Sequence, residues 1–331
     1  MSIDIAVIGA GRIGQIHARN IARHADARVR YVVDVNADAA AQLAEACGAS
    51  VTDEKTALTD PEVRGVVIAS STDTHLPLII ACADNGKSIF CEKPLDLDTS
   101  RAERCQAVAA DAGVELFVGF NRRFDPSFRR IRDAVAAGQV GQLEMVTVTS
   151  RDPAPPPLEY LRRSGGLFRD MMIHDFDMVC WLTGSEPKSV FATGAARVSQ
   201  DVVDAGDVDT AAVVVEMHNG VYCQISNSRR CAYGYDQRIE AFGATGMLRA
   251  GNATETLVES ASADGFRTEP ALPFFLERYE AAYRHETDDF VRALTGQPHA
   301  LPVARDGVRA LQLADAAEVS LREGRAVSVA Q

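Results

Sequence analysis

The run Gly9-Ala10-Gly11-Arg12-Ile13-Gly14 constrains this chain more than any other stretch. The apolar segment Ile3-Asp4-Ile5-Ala6-Val7-Ile8 leads into it, and Ile13, Ile16, His17, Asn20 and Ile21 follow at helical spacing. Strand, glycine turn and helix in that order make a phosphate-binding turn. The first glycine permits the bend, the second leaves room for a pyrophosphate against the backbone, and the third lets helix and strand pack closely. Ala10, Arg12 and Ile13 complete the turn at the helix N-terminus, where unpaired N–H groups favour an anion. Alone the pattern is weak. It gains weight from Asp34, which ends the strand-like run Val29–Val33 and lies 20 residues beyond Gly14. A carboxylate there accepts hydrogen bonds from an adenosine ribose and repels a 2′-phosphate, so the pattern predicts NAD rather than NADP.

Strands go on alternating with helices as far as residue 120. The reading is helix at 37–47, strand at 65–69, helix at 76–85, strand at 88–91, helix at 99–112 and strand at 115–119. This alternation predicts an α/β fold, a doubly wound parallel sheet forming a Rossmann domain over 1–120. Ligands bind such sheets at the carboxyl ends of the strands. Ser70, Ser71, Thr72 and His75, in the polar loop after the strand at 65–69, are therefore candidate cofactor contacts. The strand at 88–91 ends in Glu92-Lys93-Pro94, where a cation can hydrogen-bond a substrate hydroxyl. By itself Lys93 reads better as a surface lysine before a proline-fixed turn.

Beyond residue 121 the pattern changes. A short helix at 126–137 leads to a strand at 143–150, and Asp152-Pro153-Ala154-Pro155-Pro156-Pro157 must be a loop, since proline removes backbone donors. Strand-like runs at 189–197, 210–217, 221–228, 237–242, 246–249 and 255–260 surround a hairpin signal at His218-Asn219-Gly220. They predict a large, mainly antiparallel open sheet. Helices at 275–294 and 305–322 close the chain. The second domain is thus read as α+β over 121–331, with a C-terminal return onto the first domain as the alternative.

Between the proline loop and the sheet lies Ser164-Gly165-Gly166-Leu167-Phe168-Arg169-Asp170-Met171-Met172-Ile173-His174-Asp175-Phe176-Asp177. Paired glycines open it, and it runs without a breaker to Trp181-Leu182. That predicts one helix, with Asp170 and His174 a turn apart on the same face. A carboxylate beside an imidazole fixes the ring's tautomer and stabilises its protonated form. An exposed acidic edge with one capping histidine would look the same in sequence.

A net charge of −12 argues against nucleic acid or an anionic membrane as the partner. No apolar run approaches the roughly 18 residues of a membrane span, and the N-terminus enters a strand at once with no basic leader. Seven scattered cysteines with no C-x-x-C pair fit reduced thiols in a cytoplasmic protein rather than a disulfide frame or a zinc site.

Taken in order, Gly9-x-Gly11-x-x-Gly14, Asp34, Glu92-Lys93-Pro94 and Gly165-Gly166-x-x-x-Asp170-x-x-x-His174-Asp175-x-Asp177 form a specific set. With them the chain resembles, over essentially its whole length, the oxidoreductase family named after glucose-fructose oxidoreductase, inositol dehydrogenase and a rhizopine-catabolism protein. The segments Gly119–Pro126, Ser150–Pro153 and Asn227–Arg238 carry a closer likeness to the inositol-oxidising members. The resemblance implies hydride transfer to NAD from a cyclic polyol such as myo-inositol, giving the 2-keto product scyllo-inosose. It implies a catalytic group of Lys93, Asp170 and His174, and that chemistry requires no metal. It places NAD on the glycine turn, Asp34 and the loop after Ala69, with Glu92, Lys93, Asn121 and Arg122 nearby. Substrate hydroxyls are expected at Lys93, Asn121 or Arg122, Ser150, Asp152, Asp170, His174 and one of Tyr233 or Tyr235. A homotetramer is implied too, built by the second domain's sheet packing face to face.

Two readings compete with this one. A family member acting on scyllo-inositol or an aldose would keep the same trio. A non-catalytic NAD-binding sensor would typically lose Lys93, Asp170 or His174, and this chain keeps all three.

Overall fold

The computed structural model describes residues 2–330. The chain divides into two units. One runs through Asn121 and takes in Ala282–Leu311; the other comprises Arg122–Ala281 and the chain from Gln312 onward. The sequence reading puts 121–331 in the second domain with a C-terminal return onto the first as an alternative, and 282–311 lies with the first unit. The reason is apolar burial. Phe290 and Leu294 lie over the bare Cα of Gly65, where a Cβ would come within 2.9 and 2.8 Å of them. Phe290 also packs on Phe90 and Phe117, with ring centroids 5.5 and 6.2 Å apart.

In the first unit β1 (Ile3–Ile8), β2 (Ala27–Val33), β3 (Ser50–Val51), β4 (Val63–Ile68), β5 (Ser88–Glu92) and β6 (Leu116–Gly119) form one sheet. Its order is β3-β2-β1-β4-β5-β6 and every pairing is parallel. Ile5, Ala6, Val7, Val66 and Ile68 are fully buried, as strands covered by helices on both faces require. The order reverses between β1 and β4, which opens a crevice at their carboxyl ends. Local chemistry sets the helix limits. Asn36 caps the helix Ala37–Cys47 by accepting from the Ala39 N–H, and Gly48 ends it in the left-handed conformation. The helix Glu54–Thr59 is too short to have shown a period in sequence.

In the second unit the strands are β7 (Leu143–Arg151), β8 (Pro187–Ala195), β9 (Thr210–Met217), β10 (Tyr222–Ser228), β11 (Asp236–Gly243) and β12 (Gly246–Ala250). They are followed by β13 (Glu259–Ser262), β14 (Gly265–Thr268) and β15 (Val327–Ser328). The large sheet runs β12-β11-β7-β10-β9-β8-β15, and only the β7–β10 pair is parallel. Alternation along the strands gives it two faces. Val213, Val215, Ile225, Val146 and Ile239 are buried, while Phe191, Val214, Tyr222, Phe242 and Met247 point to the open side. The strand expected at 255–260 is instead β13, paired with β14 in a separate hairpin whose residues are exposed throughout. The helix expected at 275–294 is interrupted at Tyr279, between Phe275–Arg278 and Glu280–Leu294.

Candidate active site

The glycine turn sits where β1 meets the helix Arg12–Arg23. Gly9 has φ +108°, and a Cβ there would lie 2.5 Å from the Ala69 carbonyl. A Cβ at Gly14 would fall 1.8 Å from the Gly9 oxygen. At Gly11 nothing lies within 4 Å, so the outer side of the turn is bare. A bare turn at a helix N-terminus fits a pyrophosphate. Asp34 follows β2. Its Oδ2 accepts from the Ala10 N–H at 2.6 Å and its Oδ1 from the Asn36 N–H at 2.7 Å. The two backbone donors fix the carboxylate beside the turn, and each oxygen keeps a second lone pair for a ribose hydroxyl.

Ser70, Ser71 and Thr72 form the loop after β4, with Ser70 Oγ 2.7 Å from Thr74 Oγ1. His75 is a different matter. It is 1% exposed, with Nδ1 2.9 Å from the Pro94 carbonyl and Nε2 3.3 Å from the Ser70 carbonyl. Burial lowers its proton affinity. The ring, expected as a cofactor contact, ties the β4 loop to the turn after β5. Glu92 ends β5 and is buried, Lys93 beside it is half-buried, and Asn121 is 3% exposed.

In the second unit Gly165 and Gly166 both have φ +80°. A Cβ on Gly166 would lie 2.8 Å from Asp207 Oδ1, which accepts from the Leu167 N–H at 3.0 Å. The paired glycines thus let a short helix, Gly166–Asp170, start against Asp207. The expected single helix then breaks. Met172 N–H bonds to the Leu167 oxygen, five residues back, and a new helix covers Ile173–Thr183. The five-residue return widens the turn between the two helices, and Met171, Met172 and Ile173 are all buried there. From Met171 to Cys180 every residue is buried except His174.

Asp170 Oδ1 accepts from the Tyr160 hydroxyl at 2.8 Å and Oδ2 from Arg229 Nη1 at 3.1 Å. Arg229 is 1% exposed and also faces Asp207 at 3.9 Å. Burial pushes the Asp207 carboxyl up, partly offset by the Leu167 N–H and Arg229. Sequence reasoning had missed Tyr160 as a partner of Asp170. Arg229 lay within a segment that carried the family resemblance, but its pairing was not foreseen.

Arg122 and Ser150, expected on the substrate, meet at Asp175. Asp175, which is fully buried, accepts from Arg122 Nη1 at 2.5 Å, from Ser150 Oγ at 2.6 Å and from Asn227 Nδ2 at 2.8 Å. Arg122 also donates to Ser150 at 2.9 Å. The polar groups expected on a substrate are here engaged in a buried network. Of the two tyrosines, Tyr233 is 45% exposed, with its hydroxyl between Arg151 and Asp236 at 2.8 and 2.7 Å. Tyr235 is buried, edge-on to Tyr279 and Phe274. Asp152, at the end of β7, is half-buried. Among the described residues no cluster of three or more His, Cys, Asp or Glu could hold a metal ion.

Two family models match. The oxidoreductase family, NAD-binding Rossmann fold, covers residues 3–120, and the GFO/IDH/MocA C-terminal domain covers 128–249. An inositol 2-dehydrogenase of Rhizobium meliloti strain 1021 is 46% identical over 330 residues, spanning 100% of both chains. The crystal structure of a myo-inositol dehydrogenase from Corynebacterium glutamicum matches with a TM-score of 0.95 at 41% identity, covering 100% of both chains. That of a scyllo-inositol dehydrogenase from Lactobacillus casei, with bound NAD(H) and scyllo-inositol, matches at 0.91 and 30%, again over 100% of both. The matches cover both the Rossmann unit and the mixed-sheet unit described above. The chain belongs to the GFO/IDH/MocA family of oxidoreductases and carries its NAD-binding domain.

Proposed function

We propose that the chain is an NAD-dependent inositol 2-dehydrogenase, oxidising myo-inositol to its 2-keto form. The full-length likeness to the Rhizobium meliloti inositol 2-dehydrogenase supports the substrate class. The observation that carries the chemistry is the accessibility of His174 within a buried run, four residues from a carboxylate held by Arg229 and Tyr160.

A secondary alcohol must lose a proton from oxygen and a hydride from the same carbon. Bound NAD supplies the hydride acceptor. His174 takes the hydroxyl proton as general base. Asp170, oriented by Arg229 and Tyr160, stabilises the imidazolium that results. Lys93 donates a hydrogen bond to the reacting oxygen as negative charge grows there. Asp34 holds the adenosine ribose, and the glycine turn holds the pyrophosphate. Tyr233, the accessible tyrosine, is the better placed of the two for a substrate hydroxyl. We assign the active form as a cytoplasmic homotetramer. Its seven free cysteines, all but Cys47 buried, suit a reducing compartment.

The test is NAD reduction by the purified protein on a panel of myo-inositol, scyllo-inositol and aldoses. Oxidation of myo-inositol above the rest is expected. A preference for scyllo-inositol, as in the Lactobacillus casei relative, or for an aldose would move the substrate while keeping the chemistry. No oxidation of any of them would overturn the reading.

A further inference from the structure

Behind β5 the first unit buries a group of polar side chains that the mechanism above does not use. Glu92 Oε1 lies 2.6 Å from His17 Nε2, and Glu92 Oε2 accepts from the Lys93 backbone N–H at 3.2 Å. The carboxylate rests on the bare Cα of Gly119, where a Cβ would approach it to 2.9 Å. His17 is 3% exposed and sits edge-on to Phe90 and Tyr283, with centroids 5.0 and 5.8 Å away. Glu286 faces the same small cavity, which His17, Ile21, Val67, Phe90, Thr287 and Phe290 also line. It is fully buried and neither of its carboxylate oxygens has a hydrogen-bond partner.

Glu92 has two hydrogen-bond partners and Glu286 has none. Burial, then the charge of Glu92, push the Glu286 carboxyl well up. Glu92 has only small freedom: His17 holds one oxygen, the Lys93 N–H holds the other, and Gly119 blocks one side.

We propose that His17 is a positioning residue that acts through Glu92. By holding one carboxylate oxygen it aims the other at the Lys93 N–H, and so fixes where the end of β5 delivers the lysine. The inference rests on the reading of Lys93 as hydrogen-bond donor to the alcohol. His17 touches neither substrate nor cofactor in this scheme. Its effect is geometric, and misplacement of a reacting group by about 1 Å can cost on the order of a hundredfold.

The experiment compares His17→Phe, which keeps an aromatic ring but loses the hydrogen bond, with His17→Gln, which keeps a donor. Turnover of myo-inositol, KM for NAD and thermal unfolding are read on each. His17→Phe should lower kcat by about fivefold or more while KM for NAD stays within about twofold, and His17→Gln should recover most of the loss. A smaller fall, a fall without recovery, or kcat, KM and unfolding temperature all declining together would overturn the proposal. If His17→Phe does not fold, Glu92→Ala and Glu92→Gln make the same contrast. Glu286→Gln, an isostere of the neutral acid, should leave kcat unchanged, and a loss equal to that of His17→Phe would count against the scheme. Lys93→Ala, run alongside, separates the two levels. Normal turnover there sinks the reading of Lys93, whereas a large loss there with no His17 contrast sinks only the inference. The Lys93 amide proton, followed by NMR, adds a readout independent of turnover. It should move upfield in His17→Phe and return in His17→Gln, and an unmoved resonance would refute the link.

Discussion

Arg122 donates to Asp175 at 2.5 Å, and neither side chain reaches solvent: their exposures are 4% and 0%. Ser150 and Asn227 satisfy the remaining carboxylate positions. A buried ion pair of this kind adds modestly to stability while intact, because desolvation offsets attraction. Breaking it is another matter. Asp175→Ala would strand the guanidinium and should cost about 3–5 kcal/mol. Asp175→Asn, which keeps the acceptor oxygen, should cost less. Denaturant unfolding of both variants checks the order. Equal and small losses would mean that water reaches Arg122.

Glu286 makes stability depend on pH. Its folded-state proton affinity is raised above the ordinary glutamate value of 4.5 by burial and by Glu92, and His17 also faces it from the first helix. Below 4.5 both folded and unfolded chains hold the proton. As pH rises past that value the unfolded chain releases it and the folded chain does not. The contribution therefore falls with rising pH until the folded carboxyl itself ionises. Glu286→Gln removes the dependence. Its unfolding temperature relative to the parent should be higher at pH 8 than at pH 5. A difference that did not vary with pH would show that Glu286 is ionised in the fold or in contact with water.

Much of the first unit was legible because its constraints act on neighbouring residues. Gly9 needs a positive φ, Gly14 needs closeness to the Gly9 carbonyl, and both needs are written into one short motif. Asp34 stands at a fixed distance along the chain, so its place beside the turn followed from spacing. The second unit was legible as strands but not as contacts. Asp170 is held by Tyr160 and Arg229, ten and 59 residues away, and only the completed sheet brings them together. The helix break at Met171-Met172 was hidden because every residue there is a fair helix former. The exposed hairpin β13–β14 gave no alternation to read, and the return of 282–311 to the first unit depends on Phe290 and Leu294 finding Gly65.

Cofactor choice should follow Asp34. The carboxylate is already fixed by Ala10 and Asn36, so it meets the ribose with little loss of freedom and repels a 2′-phosphate. A clear preference for NAD is expected. Asp34→Ala should weaken NAD use and narrow the gap to NADP. Kinetics with both cofactors check it, and better use of NADP by the unmodified protein would remove Asp34 from the ribose site.

Assembly should involve the open face of the second sheet. Phe191 pairs with Val214 there, and Met145 lies between Tyr222 and Phe242, with Met247 beyond. Val213, Val215 and Ile225, on the other side, are buried within the unit. An apolar row of this kind across a sheet is a candidate for cover by another chain. A homotetramer is the expected state, and Val214→Glu with Tyr222→Lys should shift it toward smaller species without unfolding it. Light scattering at micromolar concentration is the measurement, and a parent protein that is monomeric would sink the expectation.

The last prediction concerns Lys93, Asp170 and His174. His174→Ala should lower kcat by about 10²–10⁴, the scale of general acid–base catalysis, with little change in NAD affinity. Lys93→Ala should lower it at least comparably, since a donor to the developing alkoxide is lost. Asp170→Asn should be milder. The amide oxygen can still accept from Arg229 while its NH2 donates to the Tyr160 hydroxyl oxygen, so much of the geometry around it survives, but the imidazolium loses its counter-charge. Arg229→Met should then be worse for stability than for chemistry, because it leaves both Asp170 and Asp207 without their buried cation. The opposing reading makes Asp170 and His174 parts of a helix start and Lys93 a turn residue. It predicts that activity and stability fall in step in every variant. Turnover, NAD binding and thermal unfolding measured on the same samples separate the two. Folded Lys93→Ala and His174→Ala proteins with near-normal turnover would take both residues out of the mechanism.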